Sequence, residues 1–97
     1  MTKIFRAKPY VSFGFTQSAN VIHPVWQSAT NAMWNWRGIK VISGWFNFWN
    51  NSHALIEIHV FGLKKQDVFF LQGILTGKTG EMPRVRYFDK FNVEIPQ

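Results

Sequence analysis

A chain of 97 residues with net charge +6 and no cysteine has room for one core, and can carry neither a disulfide scaffold nor a zinc-thiolate site. The basic bias is N-terminal: no Asp or Glu precedes Glu57, so the front of the chain carries only Lys3, Arg6, Lys8, Arg37 and Lys40, and favours acidic or polyanionic partners. No continuous apolar run follows Lys3 and Arg6 and none reaches membrane-spanning length, which predicts one soluble cytosolic domain over 1–97 with neither signal peptide nor membrane segment.

In chain order, Tyr10 to Thr16 alternates Val11, Phe13 and Phe15 against Tyr10, Ser12 and Gly14, which predicts a first strand. Gln17 to His23 is polar and loop-like. Pro24 suits a first helical turn, where its missing N–H is no loss. Val25, Ala29, Met33 and Trp36 recur at helical spacing with Trp26 alongside, and Arg37-Gly38 is a helix end, so one main helix is expected over about 24–37. Ile39 to Trp49 and Ala54 to Phe61 read as two strands of a hairpin, turned by Asn50-Asn51-Ser52-His53. Val68 to Leu75 fits a strand, favoured by Gly73 and two phenylalanines, or a short helix with Leu71 and Leu75 on one side. Gly77 to Pro83 reads as a flexible loop, and Arg84 to Phe88 and Phe91 to Ile95 alternate as strands.

The expected fold is therefore α+β: an antiparallel sheet of four to five strands with one helix across one face. The centre of interest is Gly44-Trp45-Phe46-Asn47-Phe48-Trp49. On an extended strand Trp45 and Trp49 share one side and Phe46 and Phe48 the other, so both faces need cover. Five Trp, ten Phe and two Tyr are an unusual load for so short a chain. At about 200 Å² each they represent about 3400 Å² of ring surface, which makes an exposed aromatic patch plausible without requiring it.

Catalytic material is sparse. Five acids, three histidines and no thiol leave few convergent groups. His53 and His59 are about 20 Å apart along a strand and cannot share a metal. Glu57 and His59 lie on one strand face and could act as base and orienter, although an ion pair serves equally. His23, before Pro24, reads as a turn residue. Gly77-Lys78-Thr79-Gly80 lacks the upstream glycine of a phosphate loop. No catalytic residue, metal or cofactor is expected.

Two binding readings stand beside each other. Val11-Ser12-Phe13-Gly14-Phe15-Thr16 resembles the first aromatic motif of cold-shock domains, whose phenylalanines stack on bases, and Ile58-His59-Val60-Phe61 faintly echoes the second. A nucleic-acid module of this kind would add Arg84, Arg86, Lys64 and Lys65 as phosphate contacts. A protein interface would instead use Trp34, Trp36, Arg37, Trp45 and Trp49, residue types that dominate binding hot spots. The amides Asn35 and Asn47 between them favour exposure of Trp34, Trp45 and Trp49, whereas Trp36 falls on the apolar stripe and is expected in the core.

The stretches Asn31-Ala32-Met33-Trp34-Asn35-Trp36-Arg37-Gly38 and Gly44-Trp45-Phe46-Asn47-Phe48-Trp49-Asn50-Asn51, in a short, basic, cysteine-free chain, resemble the small anti-RecBCD proteins of lambdoid phages. The resemblance implies a non-enzymatic phage protein in the host cytoplasm that binds the host RecBCD helicase-nuclease through its RecC subunit. There it would modify the enzyme so that linear phage DNA survives and phage recombination proceeds. Trp34, Trp45 and Trp49 are expected to anchor such a contact, with Arg37, Arg84 and Arg86 at its rim. The resemblance further implies recruitment of a host prolyl isomerase, for which Met82-Pro83 in the expected loop would be the most accessible bond.

Overall fold

The computed structural model describes residues 8–48, 56–91 and 93–96, and of 43–48 only the backbone. Seven elements follow in order: β1 (Tyr10–Phe15), α1 (Ala19–Arg37), β2 (Ile42–Phe48), β3 (Ile56–Phe61), α2 (Lys65–Thr79), β4 (Arg84–Phe88) and β5 (Glu94–Ile95). The strands form one antiparallel sheet in the order β2-β3-β1-β4-β5. The first six elements thus follow the β-α-β-β-α-β order of ferredoxin-like sheets, with β5 added at the β4 edge.

Alternation in the central strands fixes the layers. Val11, Phe13 and Phe15 of β1 and Ile56, Ile58 and Val60 of β3 turn to one face and join a single buried cluster with Ile22, Trp26, Ala29 and Met33 of α1 and Val68, Leu71 and Leu75 of α2. Both helices therefore cover the same side of the sheet and pack on each other. Burying side chains of this size stabilises the fold by about 1.5–3 kcal/mol each, before chain entropy is counted.

Helix α1 starts five residues earlier than its sequence spacing suggests, because Ile22 extends the apolar stripe one turn upstream of Trp26. Val21 and Ile22 both donate backbone N–H to Ser18 O, and exposed Pro24 is accommodated inside the helix. The observed stripe is Ile22, Trp26, Ala29 and Met33, so Trp26 is in the core, centroid to centroid 5.9 Å from Phe13, and Trp36 is not. The helix ends as expected at Gly38, whose φ of 66° lets its N–H reach Trp34 O at 3.0 Å while Ile39 N–H reaches Met33 O.

Residues 68–75 are helical, which settles the strand-or-helix alternative and gives the fold a second helix that the sequence reading did not include as a main element. Val68, Leu71 and Leu75 recur at helical spacing and are buried, while the adjacent Phe69 and Phe70 separate into an exposed and a half-buried ring. The expected loop over 77–83 is also corrected. Gly77 to Thr79 completes α2, Gly80 caps it at φ 76°, and the rest is pinned. The Glu81 carboxylate accepts hydrogen bonds from Thr16 N, Thr16 Oγ1 and Gln17 Nε2 at 3.0–3.3 Å, and Gln72 Nε2 donates to Pro83 O. β2 pairs with β3 through Phe48 opposite Ile56, with a bulge between Ser43 and Trp45. The turn expected at 50–53 lies outside the described residues. At the other end, Asp89 Oδ1 accepts from Phe91 N and Val93 N and turns the chain from β4 into β5.

Candidate interaction surface

The helical layer carries three exposed rings, and a fourth, Phe91, is exposed in the turn between β4 and β5. Trp34 is 59%, Trp36 72% and Phe69 78% exposed. Helical rotation of 100° per residue explains their spread, since Met33 is fully buried and Trp34 is carried round to one flank of α1, beside Thr30, Asn31, Lys40 and Val41. Trp36 emerges on the opposite flank, towards α2, in the last turn. There it meets Phe70 edge-on at 6.4 Å between centroids.

Arg37 locks this corner. Its Nη2 lies 3.0 Å and its Nε 3.1 Å from Oδ1 of buried Asp67, and its guanidinium sits 4.8 Å from the Phe70 ring centroid. One arginine thus ties the C-terminal turn of α1 to the first turn of α2. It acts as a clamp over Phe70, and much of its bonding capacity is spent inside the protein. Between the helices runs an open groove of about 460 Å³ whose sides include Ser28, Ala32 and Trp36 from α1 and Gly73, Ile74 and Gly77 from α2.

The opposite face of the sheet is differently built. Tyr10, Ser12 and Gly14 of β1 lie there between Glu57, His59 and Phe61 of β3 and Arg84, Arg86 and Phe88 of β4, by the observed register. Tyr10 stacks on Phe88 at 4.9 Å and 7°, and lies 4.6 Å from His59. The Glu57 carboxylate reaches His59 Nε2 and Arg86 Nη1, each at 3.4 Å, and Arg86 Nη2 bonds Glu94 at 3.1 Å. That hydrogen bond to Glu94 raises the Arg86 pKa further above its already high ordinary value. Tyr10 and His59 are only 8% and 7% exposed, so the aromatics of this face are spent on one another. A buried hydroxyl, Ser12 Oγ, has no hydrogen-bond partner among the described residues. On the helical side of β4, burial pushes the Tyr87 phenol above its usual range.

The residues singled out from sequence do not form one patch. Trp34 and Arg37 belong to the helical layer, Arg84 and Arg86 to the far face of the sheet, and the sheet lies between them. Trp45 pairs with His59 in the backbone register, its side chain lies outside the description, and Trp49 lies outside the described residues. The expectation that Trp36 is buried is overturned: the stripe runs through Trp26, and the last turn of α1 carries Trp36 out towards α2. Pro83 is fully buried and its peptide bond is trans, so the expectation of an accessible Met82-Pro83 bond is also corrected. Phe13 and Phe15 are under the helices, where no base can stack on them, which removes the cold-shock arrangement. Lys64 and Lys65 lie at the start of α2, with Lys65 over Tyr87, and are likewise separated from Arg86. Gly77-Lys78-Thr79 ends a helix, the pole that repels phosphate.

Sequence reasoning missed Phe69 and the groove. The signal was present in Gly73 and Gly77, four apart in a segment that also has an apolar helical stripe. Among the described residues no three of His, Cys, Asp and Glu gather to hold a metal, and no helix is long and apolar enough to cross a membrane. No protein-family model, curated protein or solved structure matches the chain.

Proposed function

We propose that this chain is a non-enzymatic phage protein that docks on the host RecBCD helicase-nuclease through RecC and changes its action on DNA. The consequence is survival of linear phage DNA and a route open to phage recombination in the host cytoplasm. The partner follows from the resemblance carried by residues 31–38 and 44–51. Docking through a protein surface is supported by one observation above the others: the C-terminal turn of α1 presents two tryptophans to solvent on a rigid, clamped frame. Each ring offers about 200 Å² of contact on its own flank of the turn, and truncating a hot-spot ring typically costs about 2 kcal/mol or more of binding.

In this reading the contact residues are distributed differently from the expectation. Trp34 anchors, Trp36 joins it, and Arg37 positions the turn that carries them. Recruitment of a host prolyl isomerase belongs to the same proposal, but at an exposed proline such as Pro9 and not at buried Pro83. Direct nucleic-acid binding is the second reading, favoured by exposed Arg84, which has no ion-pair partner among the described residues, beside half-buried Arg86.

Size-exclusion chromatography of the purified protein with purified RecBCD, in the absence of DNA, separates the two. Co-elution is expected, together with no mobility shift of a single-stranded or blunt-ended oligonucleotide by the small protein alone. A shift without co-elution would replace the first reading by the second.

A further inference from the structure

We infer that the face of the sheet away from the helices holds a binding pocket for one small carboxylate, with Arg84 as its clamp and Ser12 Oγ at its floor. This site is independent of the docking reading, since both helices lie on the other side of the sheet. One residue makes the space. Across the sheet Gly14 stands between Glu57 of β3 and Arg84 of β4, and Ser12 stands between His59 and Arg86. With no side chain at Gly14 the row has a gap, and a cavity of about 130 Å³ lies there, lined by Ser12, Gly14, Glu57, Glu81, Arg84 and Arg86 among others. The fold does not ask for glycine at this place. Its φ is outside the left-handed region, the register runs unbroken through it, and a Cβ there would meet only Cβ and O of Arg84, both at an ordinary contact distance of 3.7 Å. A glycine inside a strand weakens it, and is found where a bulge, a second backbone or a ligand comes close. Here the first two are absent among the described residues, which leaves the ligand.

Unmet hydrogen-bonding capacity decides the chemistry of that ligand. Ser12 is 1% exposed, and its Oγ has no partner among the described residues. Its two neighbours across the sheet are engaged elsewhere: His59 Nε2 lies against Glu57, and Arg86 reaches Glu57 and Glu94. The Glu81 carboxylate accepts from Thr16 and Gln17. Of the charged groups around the cavity, only the Arg84 guanidinium has neither an ion pair nor a hydrogen bond among the described residues. Both unmet groups are donors, one a cationic fork and one a hydroxyl, and an oxyanion answers both. A carboxylate matches the planar fork with two parallel hydrogen bonds. Charge sets the upper limit. Glu57 and Glu81 line the same cavity, so a phosphate dianion, or a nucleic-acid strand bringing one phosphate after another, would be set against two carboxylates. A single carboxylate meets acids whose charge is already answered by Arg86, His59, Thr16 and Gln17. Size sets the rest: a cavity of about 150 Å³ holds a six-carbon ring, so about 130 Å³ takes a short-chain carboxylate of the size of acetate or propionate.

The test is an NMR titration of the isotope-labelled full chain, at equal ionic strength, with propionate, propylammonium, inorganic phosphate, trialanine with a free carboxyl end, and a single-stranded oligonucleotide. Propionate should shift the Ser12, Gly14 and Arg84 amides along one saturable curve, and propylammonium should not. Trialanine separates two sources of the same group: tighter saturation than propionate assigns the pocket to a peptide end, weaker saturation to a free acid, and either supports it. Arg84→Gln should weaken propionate about tenfold, and Ser12→Ala severalfold with no loss of melting temperature. Gly14→Val fills the gap and should abolish the shifts; if that chain does not fold, the other two variants decide. Tighter saturation by phosphate or the oligonucleotide than by propionate, shifts spread over the lysines instead of these amides, or indifference to Arg84→Gln or Ser12→Ala would overturn the inference. None of these results bears on co-elution with RecBCD, so the docking reading stands or falls by its own test.

Discussion

The two faces of the sheet solve the same problem in opposite ways. Both must shelter aromatic rings, yet the face away from the helices shelters its own: Tyr10 stacks on Phe88 and His59, and Glu57, Arg86 and Glu94 link the charges around them. The helical layer buries its inner stripe completely and then carries Trp34, Trp36 and Phe69 on its outside, where nothing in the described residues covers them. Rings that pair with each other report on stability. Rings held out on the helical layer are open to contact, and the proposal gives them to a partner.

The largest effect that would sharpen this contrast is in the core. Trp26→Ala or Phe13→Ala removes a fully packed ring from the contact between β1 and α1 and should cost about 3–5 kcal/mol, read as a fall in the urea midpoint. The same truncation at Trp36 should change stability by less than about 1 kcal/mol while lowering partner affinity at least tenfold. If Trp36→Ala proved as destabilising as Trp26→Ala, the distinction between inner and outer rings would be lost.

Smaller effects sharpen the comparison within the backbone and the open face. Gly80→Ala forces alanine into a left-handed cap and should cost about 1 kcal/mol, whereas Gly73→Ala in open helical space should gain about 0.5–1 kcal/mol, both measured by thermal unfolding. Ser12→Ala removes a buried hydroxyl without a partner and should be neutral or stabilising by up to about 1 kcal/mol; a clear loss would show that the hydroxyl is bonded in solution. The smallest effect concerns pH. Burial raises the folded-state pKa of Tyr87, so the stability linked to its neutral phenol is complete below the unfolded value of about 10 and is lost as pH climbs through the folded value. Tyr87→Phe should flatten that alkaline decline in a pH series of unfolding curves.

What could be read in advance followed the strength of local periodicity. β1, β3 and the Gly38 helix end were legible because alternation and a left-handed glycine leave few alternatives. Pro24 misplaced the start of α1, since a proline tolerated inside a helix has the same sequence appearance as one that begins it. Val68 to Leu75 was ambiguous because Phe69-Phe70 and Gly73 carry strand and breaker signals, while Leu71 and Leu75 decide only once a sheet exists to bury them. The composition of the candidate surface was partly legible: Trp34 was expected outside, and it is. Its assembly was not, because joining Trp34 and Arg37 to Arg84 and Arg86 ignored the sheet that separates them, and a tertiary separation leaves no mark on spacing.

The most direct measurement is the equilibrium affinity for purified RecBCD, without DNA, of three chains: the unaltered protein, the Trp34→Ala and Trp36→Ala double variant, and the Arg84→Ala and Arg86→Ala double variant. The tryptophan variant should remain folded and lose at least a hundredfold in affinity, and the arginine variant should change it by less than about threefold. Equal affinity for the tryptophan variant, or a large loss confined to the arginine variant, would contradict docking through the helical layer.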